Sequence, residues 1–305
     1  GLWQASDDLT VNAMVIRSRA ESGVAGSANI MSADNELFYR YVIRNEFPSV
    51  GPDQSAETDI YNLTLNYDLS FATLTSSTSQ VDIGVKQPNF SANVNQDLNA
   101  ANGGFILFDN VGDHKGFSQE VRLASIGDNK VDWVVGAFYA DVDTNAGRSG
   151  LGSYTAGVEN FLLGESLAVL SSKSTALFAN VDYHLNEQLK LTVGARYFED
   201  DQTFDQAGLL PKSGTFDNLS PMASLSYAIS DDASVYASVA EGFRSGGFNF
   251  QGLGTEPRPD YDAETVRTYE IGAKALLLDG RLSTEAALFY GQYLDYQSAQ
   301  SLMLA

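Results

Sequence analysis

Apolar and polar residues alternate strictly along several long stretches of the chain. Leu177, Ala179, Val181, Tyr183 and Leu185 share one face, and Asn180, Asp182 and His184 the other, with Phe178 as the exception. After a break at Asn186-Glu187-Gln188, Leu189, Leu191, Val193, Ala195 and Tyr197 oppose Lys190, Thr192, Gly194, Arg196 and Asp200. A period of two is that of a β-strand, and two such runs joined by a short polar break predict a hairpin. The unit recurs. Tyr61, Leu63, Leu65 and Tyr67 oppose Asn62, Thr64 and Asn66, and Ile271, Ala273, Ala275 and Leu277 oppose Glu270, Gly272 and Lys274. Asp279-Gly280 then signals a turn, beyond which Leu282, Thr284, Ala286, Leu288 and Tyr290 oppose Ser283, Glu285, Phe289 and Gly291.

Short turns near Ser6, Leu69, Asp128, Asn186, Asp231 and Asp279 fall roughly 45 to 63 residues apart. Longer connections are expected between them: Glu21 to Glu57, Gly84 to Gly116, Thr144 to Ser172, Asp205 to Thr215 and Arg244 to Glu264. The fold class is therefore all-β. It is an antiparallel up-and-down meander of about twelve strands, counting a stub at Gly1 to Gln4, with tight turns at one end and long loops at the other. Outer-membrane barrels have this asymmetry.

The polar face carries Ser, Thr, Asn, Asp, Glu, Lys and Arg at every other position, so it must meet water, and the apolar face meets lipid or a second layer. Without a helical segment or a second set of strands to cover it, lipid is the better partner; a soluble sandwich is the alternative. The alternation places Leu177, Val181, Leu191, Val193, Leu225, Ile271, Leu277 and Leu288 outward, and Asn180, Asp182, Arg196, Glu270, Lys274 and Glu285 towards a lumen. Tyr67, Phe71, Tyr183, Tyr197, Tyr227, Phe289, Tyr290 and Tyr293 gather near strand ends, where interfacial girdles belong, although sheets are rich in aromatics anyway. An open sheet in hydrocarbon would leave two edges of unpaired backbone, so the strands are expected to form part of a larger closed barrel.

Composition removes other classes. Lys and Arg number 18 against 39 Asp and Glu, a formal charge of −21, and nucleic acid is not expected as a partner. No Cys is present, which removes thiol catalysis, disulfides and Cys-type zinc or iron–sulfur sites. Mean hydropathy is −0.15, and no run approaches the 18 or so apolar residues of a spanning helix. The opening Gly1-Leu2-Trp3-Gln4 carries neither an initiator Met nor the features of a signal peptide, and reads as an internal start.

Four segments carry a family resemblance: FSQEVRLAS at Phe117 to Ser125, SVYASVAEGFRSGGFN at Ser234 to Asn249, YDAETVRTYEIGAK at Tyr261 to Lys274, and DGRLSTEAALFYGQYLDYQ at Asp279 to Gln297. Together they resemble the β-barrel of TonB-dependent receptors of the Gram-negative outer membrane, from about Ala5 to Gln297. The resemblance implies that residues 1–305 are a middle portion of a barrel, about 12 of an expected 22 strands, open at both ends. It also implies a lumen-filling plug domain with a TonB box, and C-terminal strands, none of them in this sequence. The implied function is uptake of a scarce large nutrient, such as a ferric siderophore, cobalamin or glycan, driven by inner-membrane energy coupling. The implied partners are outer-membrane lipid, the plug and remaining strands, the TonB coupling protein and the nutrient; no cofactor is implied.

Within those segments Val121 and Leu123 fit the outer face, while Glu120 and Arg122 point inward with Arg196, Glu270 and Lys274, either solvated in the lumen or paired with a plug. In EGFRSGGFN, Gly246 and Gly247 are expected to permit unusual backbone turns, with Phe243, Phe248 and Phe250 flanking Arg244 at an external rim. This rim could contact ligand or fold on its own aromatic cluster.

Enzymatic constellations are not expected. Glu199-Asp200-Asp201 alternate between faces, so they form no positioned acid/base pair and read as the solvated base of a loop. His114, in an expected loop, and His184, facing the lumen near a turn, share no third ligand, so no metal site is assigned. Ser149-Gly150-Leu151-Gly152-Ser153 and Ser245-Gly246-Gly247 lack the strand-to-helix context of a phosphate loop and read as hinges. Two other functions stay open: a passive porin-like or structural barrel, which the same wall would suit, and a secreted all-β carbohydrate hydrolase, which would need the apolar stripes buried by a second sheet.

Overall fold

In the computed structural model, twelve strands among the described residues hydrogen-bond in sequence order, each antiparallel to the next, as one sheet. The structure describes residues 1–22, 54–92, 104–127, 129–155, 158–249 and 260–298. The strands are β1 (Leu2–Gln4), β2 (Leu9–Ser22), β3 (Gln54–Asp68), β4 (Ala72–Ala92), β5 (Gly104–Ser125), β6 (Val131–Thr155), β7 (Val158–His184), β8 (Leu189–Gln206), β9 (Lys212–Ser230), β10 (Ala233–Arg244), β11 (Glu264–Leu277) and β12 (Leu282–Leu294). Among the described residues there is no helix, and no pairing joins β12 back to β1. The sheet is open.

The predicted register holds. Leu177 is 65% exposed whereas its neighbour Ala176 is 4% exposed, so successive residues of β7 meet a free face and a sheltered one. Val181, Val193, Leu225, Ile271, Leu277 and Leu288 lie on the free face with Leu177, and Leu191 pairs with Tyr183 and Leu225 of the same set. Asn180, Asp182 and Arg196 fall opposite Gly194, Thr192 and Phe178 on the sheltered face, as do Glu270 and Lys274 opposite Ser238 and Ser234.

Two aromatic rows mark the outer face. Trp3, Tyr67, Trp133, Tyr183 and Tyr227 occupy outward positions near the tight turns, and Tyr61, Phe117, Tyr139, Tyr197, Tyr269 and Tyr290 form the second row. Tyr61 and Tyr67 are separated by Leu63 and Leu65, about 20 Å along the strand at 3.3 Å per residue. Immediately beyond the second row the outer face turns ionic. Arg17 reaches Asp59 at 3.0 Å and Tyr61 Oη at 2.6 Å, Tyr139 Oη donates to Asp141 at 3.3 Å, and Arg267 pairs with Glu241 at 2.6 Å. Apolar residues between aromatic girdles, with charges outside, are what a membrane-spanning wall requires. Phe289 and Tyr293 do not join a girdle, because they pair with Glu270 and Val266 on the sheltered face.

Cross-strand packing fills that face. The Phe178 ring lies over Gly136, and the Tyr236 ring over Gly272, so each aromatic covers the glycine directly opposite it. Small residues such as Ala140, Ala168, Ser174 and Ala176 are buried there.

Several expected loops are sheet instead. β6 and β7 run through the Thr144 to Ser172 region, leaving only residues 156–157 between them, and β4 and β5 cover most of Gly84 to Gly116. These stretches are rich in Ser, Asn, Asp and Gly in sequence, so their alternation is invisible although the backbone still pairs. The segment Ser149 to Ser153 is part of β6, where the register with β7 slips, rather than a loop hinge. His114 likewise sits in β5, with its Nδ1 3.1 Å from Thr144 Oγ1.

Candidate functional site

The wall divides between β9 and β10. Their pairing ends at Ala240↔Met222, while β10 stays paired with β11 as far as Arg244↔Glu264, and β9 stays paired with β8 as far as Lys212. Pro221 marks the division. The Ala228 N–H bonds to Gln188 at the β8 hairpin, so even-numbered residues of β9 turn their backbone groups to β8 and odd-numbered ones to β10. The missing donor of Pro221 therefore faces the side that β10 has left, where it costs no ladder bond.

Beyond Arg244 the chain folds onto the sheltered face of β8 and β9. Phe248 packs against Phe204 and Phe216, with ring centroids 6.0 and 6.3 Å apart, and Phe243 packs against Phe198 at 5.2 Å. Gly247 and Tyr261 exchange two backbone hydrogen bonds of 2.9 and 3.0 Å. Gly246 and Gly247 are not left-handed; among the described residues the glycines with positive φ are Gly127, Gly208 and Gly280. They are required instead for close approach, since a Cβ on Gly246 would stand 2.6 Å from Tyr261 O, and one on Gly247 2.5 Å from Tyr261 Oη.

Of the expected rim, Phe243 and Phe248 are thus committed to packing, and Arg244 is the exposed member. Its side chain is 65% exposed, with the carboxylate of buried Glu264 4.0 Å away. Phe250 lies outside the described residues. Glu264 also accepts the Gln297 backbone N–H at 2.6 Å, and the Gln297 side-chain amide donates to Ser245 O and Asp262 O at 3.0 and 2.9 Å. One carboxylate and one amide therefore tie together the ends of β10 and β12 and the start of β11.

Lower on the same face, Arg196 spreads over Phe138, Phe178 and Phe198, 5.4 to 5.8 Å from the ring centroids. Such stacking favours a cation without neutralising it. Glu120 and Arg122 lie 3.6 Å apart, Lys274 pairs with Glu285 at 2.9 Å, and Tyr236 Oη donates to Glu270 at 2.6 Å. Lys190 and Thr192 both donate to Asp182, and His184 Nε2 is 3.2 Å from Asp132. The sheltered face is thus lined with charges in local pairs, as a hydrated lumen demands.

The sequence reading missed the residues beneath the inward-folded segment. Asp200, expected in a solvated loop, is 5% exposed on β8, with hydrogen bonds from Ser172 Oγ at 2.5 Å and Gln202 Nε2 at 2.6 Å. Gln202 also donates to Gly246 O at 3.3 Å. The period-two pattern does continue through Asp200, Gln202, Phe204 and Gln206, but four acidic residues within Glu199–Asp205 masked it.

The family model described as TonB dependent receptor-like, beta-barrel, matches residues 5–303. The chain belongs to this family. Barrels of TonB-dependent receptors lie in the outer membrane of Gram-negative bacteria. The pesticin receptors of Yersinia enterocolitica and Yersinia pestis are each 26% identical over 191 residues, covering 59% of this chain and 27% of theirs. Among solved structures, the ferric yersiniabactin uptake receptor of Yersinia pestis superposes with a TM-score of 0.71 at 17% identity, over 95% of this chain and 43% of that one. The pyoverdine-bound FpvA receptor of P. aeruginosa gives 0.68 at 16% identity, over 94% and 40%. The chain therefore spans about a quarter of the length of the curated relatives it matches, and its TonB-dependent barrel fold is that of less than half of either of these two solved receptors.

Proposed function

We propose that this TonB-dependent barrel segment serves uptake of a ferric siderophore across the outer membrane. The similarity to the pesticin receptors carries the reading, and the receptor for ferric yersiniabactin supports it through the shared fold. The geometry suits such uptake, with a lipid-facing wall, a charged lumen, and an exposed cation, Arg244, next to a segment folded into that lumen. The function is binding and release with no bond made or broken, so the chain acts as a receptor and not as an enzyme.

In this reading the free edges of β1 and β12 pair with further strands of the barrel, and Glu120, Arg122, Arg196, Glu270 and Lys274 face a plug that fills the lumen. Arg196, which rests on rings instead of a carboxylate among the described residues, is the residue best placed to receive an acidic group from that plug. Energy coupling through the plug requires the TonB protein. The test is radio-iron uptake, presented as ferric yersiniabactin, by a siderophore-deficient Gram-negative host carrying the full-length receptor. Saturable uptake that stops when TonB is inactivated is expected. Uptake that persists without TonB would show a passive barrel.

A further inference from the structure

The buried cluster beneath Ser245–Phe248 has no explanation in wall stability. Asp200 bonds to the neutral groups Ser172 and Gln202, and a buried carboxylate with neutral partners is less stable than an apolar residue of similar size. Its neighbours along the sheltered side of β8, Phe204 among them, show that an apolar side chain fits that face. What Asp200 does achieve is orientation. By accepting one N–H of the Gln202 amide it aims the other at Gly246 O, the only side-chain hydrogen bond from the β8–β9 wall to the inward-folded segment among those described.

The segment is held from two sides. Towards β8 and β9 are Gln202 and the Phe204 and Phe216 rings around Phe248; towards β11 and β12 are the Gly247–Tyr261 backbone pair and Gln297. The glycines allow this contact and admit no Cβ without moving Phe216 or Tyr261. Arg244 is the last residue of β10 paired with β11 and immediately precedes the segment, so the path the chain takes beyond it bears on where the guanidinium stands relative to Glu264.

We propose that Asp200 and Gln202 are positioning residues that latch Ser245–Phe248 to the wall and thereby set Arg244 over the lumen for an incoming anionic ligand. The proposal rests on the reading of Arg244 as part of the ligand rim. The experiment uses the full-length receptor in intact cells, with Ser245→Cys as reporter for a membrane-impermeant maleimide and Ser213→Cys, outward on β9, as control. In Gln202→Leu and Gln202→Glu, labelling at 245 should rise about five-fold or more while labelling at 213 stays constant. The half-saturating concentration for ferric yersiniabactin uptake should rise about ten-fold, the loss of one charged contact, with the maximal rate held within about two-fold.

The double variant Asp200→Asn, Gln202→Glu restores a donor–acceptor pair inside the wall but offers Gly246 O no donor. It should keep the heat-modifiable mobility of the unsubstituted receptor without recovering protection at 245. Unchanged labelling in the Gln202 variants would overturn the proposal, as would full recovery by the double variant, or raised labelling with an unchanged half-saturating concentration. Absence of uptake by the unsubstituted receptor would count against the functional reading alone, because the labelling comparison still decides the latch.

Discussion

Replacing Val193 by Arg tests the depth assignment most sharply. One hydrogen-bonded row of the sheet runs Trp133, Val181, Val193, Ala223, Val239, Tyr269, from the aromatic row near the tight turns to the row near the loops. The row climbs because barrel strands tilt by about 40°. Val193 stands two strand steps from one end and three from the other, near the middle of the apolar band. Along β8 itself, Tyr197 lies four residues above, about 13 Å of strand and about 10 Å along the membrane normal after tilt. The site is half exposed and outward, so an arginine there must enter hydrocarbon. The expected cost is about 2–4 kcal/mol. Thr203→Arg, on the same strand and face but beyond Tyr197 and level with the ionic zone, should cost about 0–1 kcal/mol. Reversible urea unfolding of the full-length receptor in phosphatidylcholine bilayers measures both. Equal costs, or a larger cost at Thr203, would refute the placement of the band.

The β9 register makes a second contrast: Pro221→Ala should change stability by less than about 0.5 kcal/mol, whereas Ser220→Pro, whose N–H faces β8, should cost about 3 kcal/mol or more in the same unfolding assay. Gly136→Ala places a Cβ 2.9 Å from edge carbons of the Phe178 ring and should cost about 1–3 kcal/mol, with Phe178→Leu in the same chain recovering part of it. Gly280, at φ 79° in the turn between β11 and β12, should lose about 1 kcal/mol on substitution by Ala. Lys190→Ala removes a lumen ion pair that is more than a third exposed on the lysine side, and should shift the unfolding midpoint little, less still in high salt.

How far the sequence could be read depended on whether the two faces of a strand differ chemically. Where lipid is on one side and water on the other, as along Leu177–Leu185 or Ile271–Leu277, the period of two fixes strand, register and face at once. Beyond the second aromatic row both faces meet water, the alternation fades, and Thr144–Ser172 looks like loop although β6 and β7 run through most of it as paired strands. The candidate site lies in that region. Arg244 and its flanking phenylalanines were visible as a motif, but packing of Phe243 and Phe248 onto Phe198, Phe204 and Phe216 joins residues about 30 to 45 positions apart. Asp200 and Gln202 were hidden by their acidic neighbours. Gly246 and Gly247 were rightly singled out for a wrong reason, since local sequence suggests a turn and cannot reveal that a ring and a carbonyl from other segments leave no room for a side chain.

One face of this sheet meets lipid and the other a hydrated lumen, and spin-label accessibility along β8 tests that division most directly. Single labels at positions 191 to 199 of the full-length receptor in bilayers would be probed with oxygen, which concentrates in lipid, and with a water-soluble nickel chelate. Oxygen should be strongest at 193 and 195 and the chelate at 192, 194 and 196, in opposite phase with a period of two. Accessibilities that rise and fall together, or the chelate reaching 193 and 195 instead, would contradict it.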